Sequence, residues 1–385
     1  WWENEGQRAL ANNSVAYKGK PEMGTFMREW VSLYESKSGE RGIFNRQAAQ
    51  KQASLNGRRD AEQDFGCNPC SEIILRPYQF CNLSEVVVRS TDTQQTLTDK
   101  VRLATILGTF QSTLTNFKYL RNVWKKNTEE ERLLGVSLTG IMDNAMMSGK
   151  SAHLGMNIGA TLNALKEQAI ATNAAMAEQL GIPQSAAITC VKPSGTVSQL
   201  VDSASGIHAR HNPYYIRTVR GDNKDPLTQF MVNVGIPAEP DVMKPDSTTV
   251  FSFPMKSPHG AVTRFDMSAI EQLELWLLYQ RHWCEHKPSV TISVKEDEWM
   301  EVGSWVYDHF DEVSGISFLP FSEHTYKQAP YQDCTPEEYG EMLKRMPAAI
   351  DWTWLQDYEK EDTTSGGREL ACTAGVCEIV DIAAA

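Results

Sequence analysis

The residues best suited to chemistry fall in one short stretch, Cys67-Asn68-Pro69-Cys70-Ser71-Glu72, followed closely by Cys81-Asn82-Leu83-Ser84-Glu85-Val86. Pro69 cannot sit inside a helix, and it pushes Asn68 toward extended backbone. In an extended chain, side chains two apart share a side. Asn68, Cys70 and Glu72 are therefore expected to project together. An amide, a thiol and a carboxylate on one face supply an orienting hydrogen bonder, a sulfur that serves as nucleophile or radical carrier, and a general base. The plainer alternative is Cys70 as a small buried apolar residue, with Glu72 on the surface. A zinc site is weaker. Cys67 and Cys70 have the right gap, but no second close pair follows them.

Lys192-Pro193-Ser194-Gly195-Thr196-Val197-Ser198 is a second candidate. It follows a short apolar run and precedes Leu200-Val201. A strand running into such a turn offers amides and hydroxyls to phosphate oxygens. It lacks the order of a standard P-loop, and an ordinary capped turn is the alternative. A third candidate is Cys372-Thr373-Ala374-Gly375-Val376-Cys377, behind a polar linker with Gly366-Gly367. Two thiols on an accessible tail suit thiol–disulfide exchange; two incidental cysteines are the alternative. His208 and His211 are poor evidence for metal and could sit near phosphate or cap a helix. Trp276, Tyr279 and Trp283 read as core packing.

These residues need elements to hold them. Apolar periodicity predicts helices around Met23–Tyr34, over Leu97–Phe117, over Ile158–Leu180 and over Ser268–His286. Gly181 and Pro183 close the third. Thr335-Pro336-Glu337-Glu338 is a capping box opening a helix to about Met346. Strands are expected at Ala186–Val191, Thr248–Phe253, Ser289–Val294 and Ile316–Leu319, and short extended pieces within Cys67–Arg89. Strands alternating with long helices imply an α/β fold. Pattern alone does not separate a barrel from an open sheet.

The chain has 385 residues, 41% hydrophobic and 22% charged, as a globular protein would. A net charge of −12 argues against a long nucleic acid as partner. A small phosphorylated ligand stays possible, because a pocket can oppose the global sign. No apolar run is long enough for a membrane helix. Eight cysteines are too few for a disulfide scaffold. No targeting presequence opens the chain, so a reducing cytoplasm is expected, with clustered cysteines doing metal or redox chemistry.

Taken together, the motifs resemble the large chains of ribonucleotide reductases, and among these the adenosylcobalamin-dependent class in its monomeric, triphosphate-reducing branch. Asn68 to Ile73, Cys81 to Val86, Lys192 to Ser198 and Glu369 to Glu378 carry the likeness. Gly135 to Gly140, Ser38 to Arg46 and Phe318 to Tyr331 extend it over almost the whole chain.

The resemblance implies an α/β fold that forms the carboxy-terminal part of a ten-stranded α/β barrel over residues 1–356, with a finger loop at 67–85. A flexible linker and redox-active cysteine tail follow at 357–385. By the same resemblance, Cys70 is the thiyl-radical residue, Glu72 the base on the ribose 3′-hydroxyl, and Asn68 the residue that positions ribose hydroxyls. Cys81 is one of two cysteines that donate reducing equivalents. Pro193, Ser194, Gly195, Thr196, Val197 and Ser198 form the substrate phosphate loop. Cys372 and Cys377 shuttle electrons from a thioredoxin-like protein. The implied cofactor is adenosylcobalamin. The implied activity is allosterically regulated reduction of ribonucleotides, triphosphates by branch similarity, to deoxyribonucleotides for DNA replication.

The chain also departs from the family pattern. There the partner of Cys81 lies on an early barrel strand, whereas here only Cys67 precedes Cys70. The chain opens on Trp1-Trp2-Glu3. The first half of the barrel is therefore expected on another polypeptide or on a preceding segment. Two alternatives stand beside the cobalamin enzyme. A reductase that draws its radical from a metal-containing subunit needs a late tyrosine relay, and Tyr358 is the final tyrosine here. A non-catalytic nucleotide-binding or assembly fragment has no need to keep Asn68, Cys70, Glu72, Cys81, Cys372 and Cys377 together.

Overall fold

The computed structural model of the chain describes residues 13–37, 42–150, 157–321 and 327–360. The pattern from Leu97 onward folds as a helix at Gln94–Gln111, opened by a capping box on Thr93. It stops short of Phe117. The hydroxyls of Ser112 and Thr113 bond the carbonyls of Thr109 and Phe110, a local competitor to further helix. The expected helix over Ile158–Leu180 forms with those limits, capped by Asn157 and ended by Gly181 at φ +65°. The aromatic helix spans Ala269–His282 and opens on a Ser268–Glu271 capping box. The early helix spans Met23–Ser36 and buries Phe26, Trp30 and Leu33, one face at helical spacing.

Contacts divide the chain into two units. The larger comprises Ala11–Arg210 and Pro258–Phe321. Its strands Asn82–Val87, Leu134–Thr139 and Thr189–Cys190 run parallel in that order. A parallel bridge from Val191 to Pro288 leads to Val290–Val294, which pairs parallel with Ile316–Pro320. There the direction reverses. Ile316 meets Ile43 antiparallel, and Gly42–Asn45 pairs parallel with Ser14–Tyr17. Every residue of Leu134–Thr139 is buried, as expected for a parallel strand covered on both faces. One core joins these strands to the helices through Trp30, Val136, Leu138, Trp276, Trp283, Ile292 and Phe318. The architecture is α/β, as expected.

Ala186–Val191 is extended as expected, though only Thr189–Cys190 is regular strand. The rest of the run still bonds the neighbouring strand, through Leu134 N–H to Ala187 O and Val136 N–H to Ile188 O. Trp276, Tyr279 and Trp283 are fully buried, as their spacing implied. The same rings also brace the site. Trp283 Nε1 donates to Cys190 O at 2.8 Å, and Trp276 Nε1 to Pro288 O at 2.7 Å.

The smaller unit draws on His211–Ser257 and the segment from Ser322 onward. Its sheet is antiparallel, ordered Tyr331–Asp333, Tyr214–Asp222, Thr248–Lys256, Ala238–Pro240. Helix Pro336–Arg345 carries the expected Thr335–Glu338 capping box. No helix among the described residues is long and apolar enough to cross a membrane.

Candidate active site

The stretch that bears Cys70 is a reversal, not the extended run expected from Pro69. Gly66–Cys67 pairs antiparallel with Ile74–Leu75, and the residues between them turn. Ser71 N–H donates to Asn68 O at 2.9 Å. Asn and Pro thus occupy the first two places of a β-turn, where both are favoured. Ser71 sits at φ +68°, a left-handed conformation that costs a non-glycine residue about 1 kcal/mol or more. Asn68 Oδ1 accepts from Ile73 N–H at 3.0 Å, closing the turn from the other side.

The reversal nonetheless joins Cys70 and Glu72 at one cation. Lys192 Nζ lies 3.3 Å from Glu72 Oε1 and also hydrogen-bonds the Cys70 side chain. The Glu72 side chain is wholly buried, and its Oε2 has no hydrogen-bond partner among the described residues. Cys70 is half-buried. Desolvation alone would lower the Lys192 pKa, but the Glu72 carboxylate and the Cys70 sulfur outweigh it and raise it. Cys81, just ahead of the strand Asn82–Val87, has its thiol pKa raised by desolvation and by the Glu72 charge. Three of the expected side chains, Cys70, Glu72 and Cys81, therefore share one electrostatic neighbourhood. Asn68 belongs to the same turn, with its amide oxygen engaged in closing it.

Behind the turn runs His286-Lys287-Pro288-Ser289, which links the aromatic helix to the strand Val290–Val294. Ile74 N–H donates to His286 Nδ1 at 3.3 Å, so Nε2 carries the proton toward Leu134 O at 2.9 Å. Burial first, and the charge of Arg59, hold the imidazole well below its usual pKa and hence neutral. Lys287 N–H donates to Glu72 O at 3.1 Å, and the Ser289 hydroxyl to Cys70 O. Arg59 reaches Ile74 O at 2.9 Å while its guanidinium is paired with Glu131.

The 193–198 turn is built differently. Ser194 N–H donates to Ser205 Oγ and Ser198 N–H to Ser194 Oγ, both at 2.9 Å. Lys192 N–H donates to Ser137 Oγ at 2.8 Å. Gly206, at φ +52°, lies so close that a Cβ there would stand 2.6 Å from Lys192 O. Ser194 and Ser198 are buried, whereas Gly195, Thr196 and Val197 are exposed. A short helix, Val197–Leu200, follows.

His208 neither caps a helix nor is placed to hold metal. Its Nδ1 meets Ser205 O and its Nε2 accepts from Thr291 N–H, each at 3.0 Å. His211 belongs to the smaller unit and pairs with Asp333 at 2.8 Å. Among the described residues, no group of His, Cys, Asp and Glu is placed to hold a metal ion. Cys372 and Cys377 lie outside the described residues. The sequence pattern gave no role to Lys192 itself, nor to Arg59, His286, Lys287 and Ser289. The one visible signal was a polar run, His286-Lys287, wedged between a strongly apolar helix and an apolar strand.

No family model matches the chain. The adenosylcobalamin-dependent ribonucleoside-triphosphate reductase of Euglena gracilis is 28% identical over 316 residues, covering 80% of this chain and 42% of that protein. The same-named reductase of Levilactobacillus brevis is 26% identical over 373 residues, covering 89% of this chain and 48% of its own. A probable adenosylcobalamin-dependent ribonucleoside-triphosphate reductase of Dictyostelium discoideum is 28% identical over 331 residues, 82% of this chain and 40% of that one. The chain thus spans about half the length of the curated relatives it matches. The crystal structure of a B12-dependent (class II) ribonucleotide reductase superposes with a TM-score of 0.74 at 22% identity, over 92% of this chain and 52% of that one. The resemblance drawn from the motifs is borne out by these relatives, and the α/β class of the fold by the superposition.

Proposed function

We propose that this chain is the carboxy-terminal part of the catalytic chain of an adenosylcobalamin-dependent ribonucleoside-triphosphate reductase, and that it reduces ribonucleotides through a sulfur radical on Cys70. One observation carries the proposal. The Cys70 thiol and the buried Glu72 carboxylate meet at the Lys192 ammonium, at the entrance to a turn that suits phosphate.

The roles follow from the chemistry of each group. Removing a ribose 2′-hydroxyl has no easy ionic route, and a sulfur radical on Cys70 can instead abstract the 3′ hydrogen. Glu72 accepts the 3′-hydroxyl proton on Oε2, the oxygen left without a partner. Loss of the 2′-hydroxyl as water is thereby assisted, and a placed carboxylate contributes roughly 10² to 10⁴ in rate. Two electrons and two protons must then reach the sugar; Cys81 and a second thiol supply them on becoming a disulfide, and Cys70 returns the 3′ hydrogen and regains its radical. Asn68 orients the ribose through its amide nitrogen, since its oxygen is engaged. Ser194 and Ser198 shape the turn in which the exposed Gly195, Thr196 and Val197, together with Pro193, meet the phosphates. Cys372 and Cys377 return the active-site disulfide to thiols and are themselves reduced by a thioredoxin-like protein.

When bound, adenosylcobalamin supplies the radical by homolysis of its cobalt–carbon bond. The half-buried state of Cys70 fits that role, because the sulfur can be reached from one side. We further propose that the parallel strands and their antiparallel neighbours belong to a ten-stranded barrel. The remaining strands and the second electron-donating thiol would come from the portion of the relatives that this chain does not match, on the same or a partner polypeptide. The test is turnover of a ribonucleoside triphosphate with adenosylcobalamin and a dithiol, in the presence of that portion. Cys70→Ala is expected to abolish deoxynucleotide formation; turnover that survives the change refutes the radical assignment.

A further inference from the structure

We infer that Lys287 is a positioning residue for the catalytic turn. It donates to Ser71 from behind, holds that residue left-handed between Cys70 and Glu72, and so keeps thiol and carboxylate on the Lys192 side. The inference deepens the radical reading of Cys70 and rests on it.

Lys287 is 1% exposed. Its Nζ lies 3.4 Å from Ser71 Oγ and 3.2 Å from Ser314 Oγ, and 4.4 Å from the centre of the Phe44 ring. Among the described residues no carboxylate pairs with it; Cys67 and Glu72 are the titratable groups whose charge it feels. An ammonium buried without a counter-ion is expensive, and burial accordingly lowers its pKa to about 8. A methionine would occupy the same space without that cost. Packing therefore does not explain a lysine here, and a contact that requires its donors does.

The surroundings are shaped to that contact. Gly315 sits at φ +81°, and a Cβ there would stand 2.8 Å from Ser71 O and 3.2 Å from Lys287 Nζ. The Ser71 hydroxyl in turn donates to Cys67 Sγ at 3.3 Å, so it accepts from Lys287 while giving its own proton away. Lys287 N–H and the Ser289 hydroxyl meanwhile fix the carbonyls of Glu72 and Cys70. Ser71 is the link between those two fixed points. It is also the residue that, as a non-glycine at φ +68°, relaxes when untethered.

The test compares Lys287→Met with the double variant Lys287→Met/Ser71→Gly. Two readouts are used: the rate at which iodoacetamide alkylates Cys70, followed by peptide mass, and turnover. With the tether gone, Cys70 leaves the Lys192 ammonium, and that positive charge no longer stands beside the attacking sulfur. Its alkylation at pH 7 is expected to slow about fivefold or more, and kcat to fall about tenfold with KM within about twofold. Glycine holds a positive φ without a tether, so the double variant should recover both to within about threefold. A Lys287→Met protein with wild-type alkylation and kcat overturns the inference. So does a loss that Ser71→Gly fails to rescue, including the case where neither variant folds. Cys70→Ala, run alongside, separates the two ideas. Turnover surviving in Cys70→Ala refutes the radical reading, while the alkylation comparison still reports on Lys287.

Discussion

The 68–73 turn takes much of its hold from residues far away in sequence. His286, Lys287 and Ser289 secure Ile74, Glu72, Ser71 and Cys70, and Arg59 secures Ile74 from another side. The 193–198 turn is tied mainly to its own serines and to the nearby Ser205, and its middle is exposed. The difference matches two tasks. Groups that must meet a reacting atom are useful only if held within fractions of an ångström by an outer shell. A turn that receives phosphate needs open amides and can adjust around its ligand. Lys192 belongs to both, since its backbone starts the second turn and its ammonium ends in the first. Substitutions in the clamped turn should therefore act on kcat, and those in the self-tied turn on KM.

The largest expected effect is at Glu72. Glu72→Gln keeps the shape and removes the base, so kcat should drop by about 10² to 10⁴ with KM little changed. A loss that falls mainly on KM would instead make Glu72 a binding group and erase the contrast between the turns. Lys192→Met comes next. Glu72 would then be buried without its opposite charge, 3.3 Å away in the wild type. Both kcat and the melting temperature should fall, because removing one partner of a buried ion pair leaves an uncompensated charge. An unchanged kcat with a raised KM would mean that Lys192 serves phosphate alone.

Lys287 gives a stability test of the same clamp. Its folded pKa of about 8 lies below the ordinary 10.5. Between those two values the unfolded chain binds more protons than the folded one, so this group's contribution rises with pH across that window. Below pH 8 both states carry the ammonium and the burial cost is constant, on the order of 3 kcal/mol. Lys287→Met should therefore melt no lower than the wild type at pH 7, and the advantage should fade as the pH rises from about 8 to 10.5. A markedly lower melting temperature at pH 7 would show that the donors of Lys287 serve the fold more than the turn.

The long elements were legible in the sequence because their signals are local. The Asn157 and Gly181 ends, the Ser268 and Thr335 capping boxes and the apolar faces of Phe26 and Trp30 all depend on residues a few places apart. Pro69 was legible as a break, but whether it extends or reverses the chain depends on Ser71 adopting a left-handed conformation, and the side-chain contact it receives there comes from Lys287, which also donates to Ser314. Such contacts leave no periodic trace. The sheet that pairs Tyr331–Asp333 with Tyr214–Asp222 was hidden for the same reason, since its strands are distant in sequence. Chemistry-bearing types could be picked out by kind and spacing. The residues that aim them, His286, Lys287 and Arg59, look in sequence like ordinary polar surface.

The smallest effect is expected in the self-tied turn. Ser194 accepts from Ser198 N–H through its hydroxyl and gives its own N–H to Ser205. Ser194→Ala removes only the first of these bonds. A hydrogen bond between neutral groups contributes about 1 kcal/mol net, and Ser205 still anchors the backbone. The turn would keep its path but hold its amides less firmly, so substrate KM should rise about fivefold at nearly constant kcat. The Cys70 alkylation rate should stay at its wild-type value, because Lys192 remains where Ser137 fixes its backbone. If Ser194→Ala slowed alkylation as Lys287→Met is expected to, the two turns would be one mechanical unit, and kcat and KM effects could no longer be divided between them.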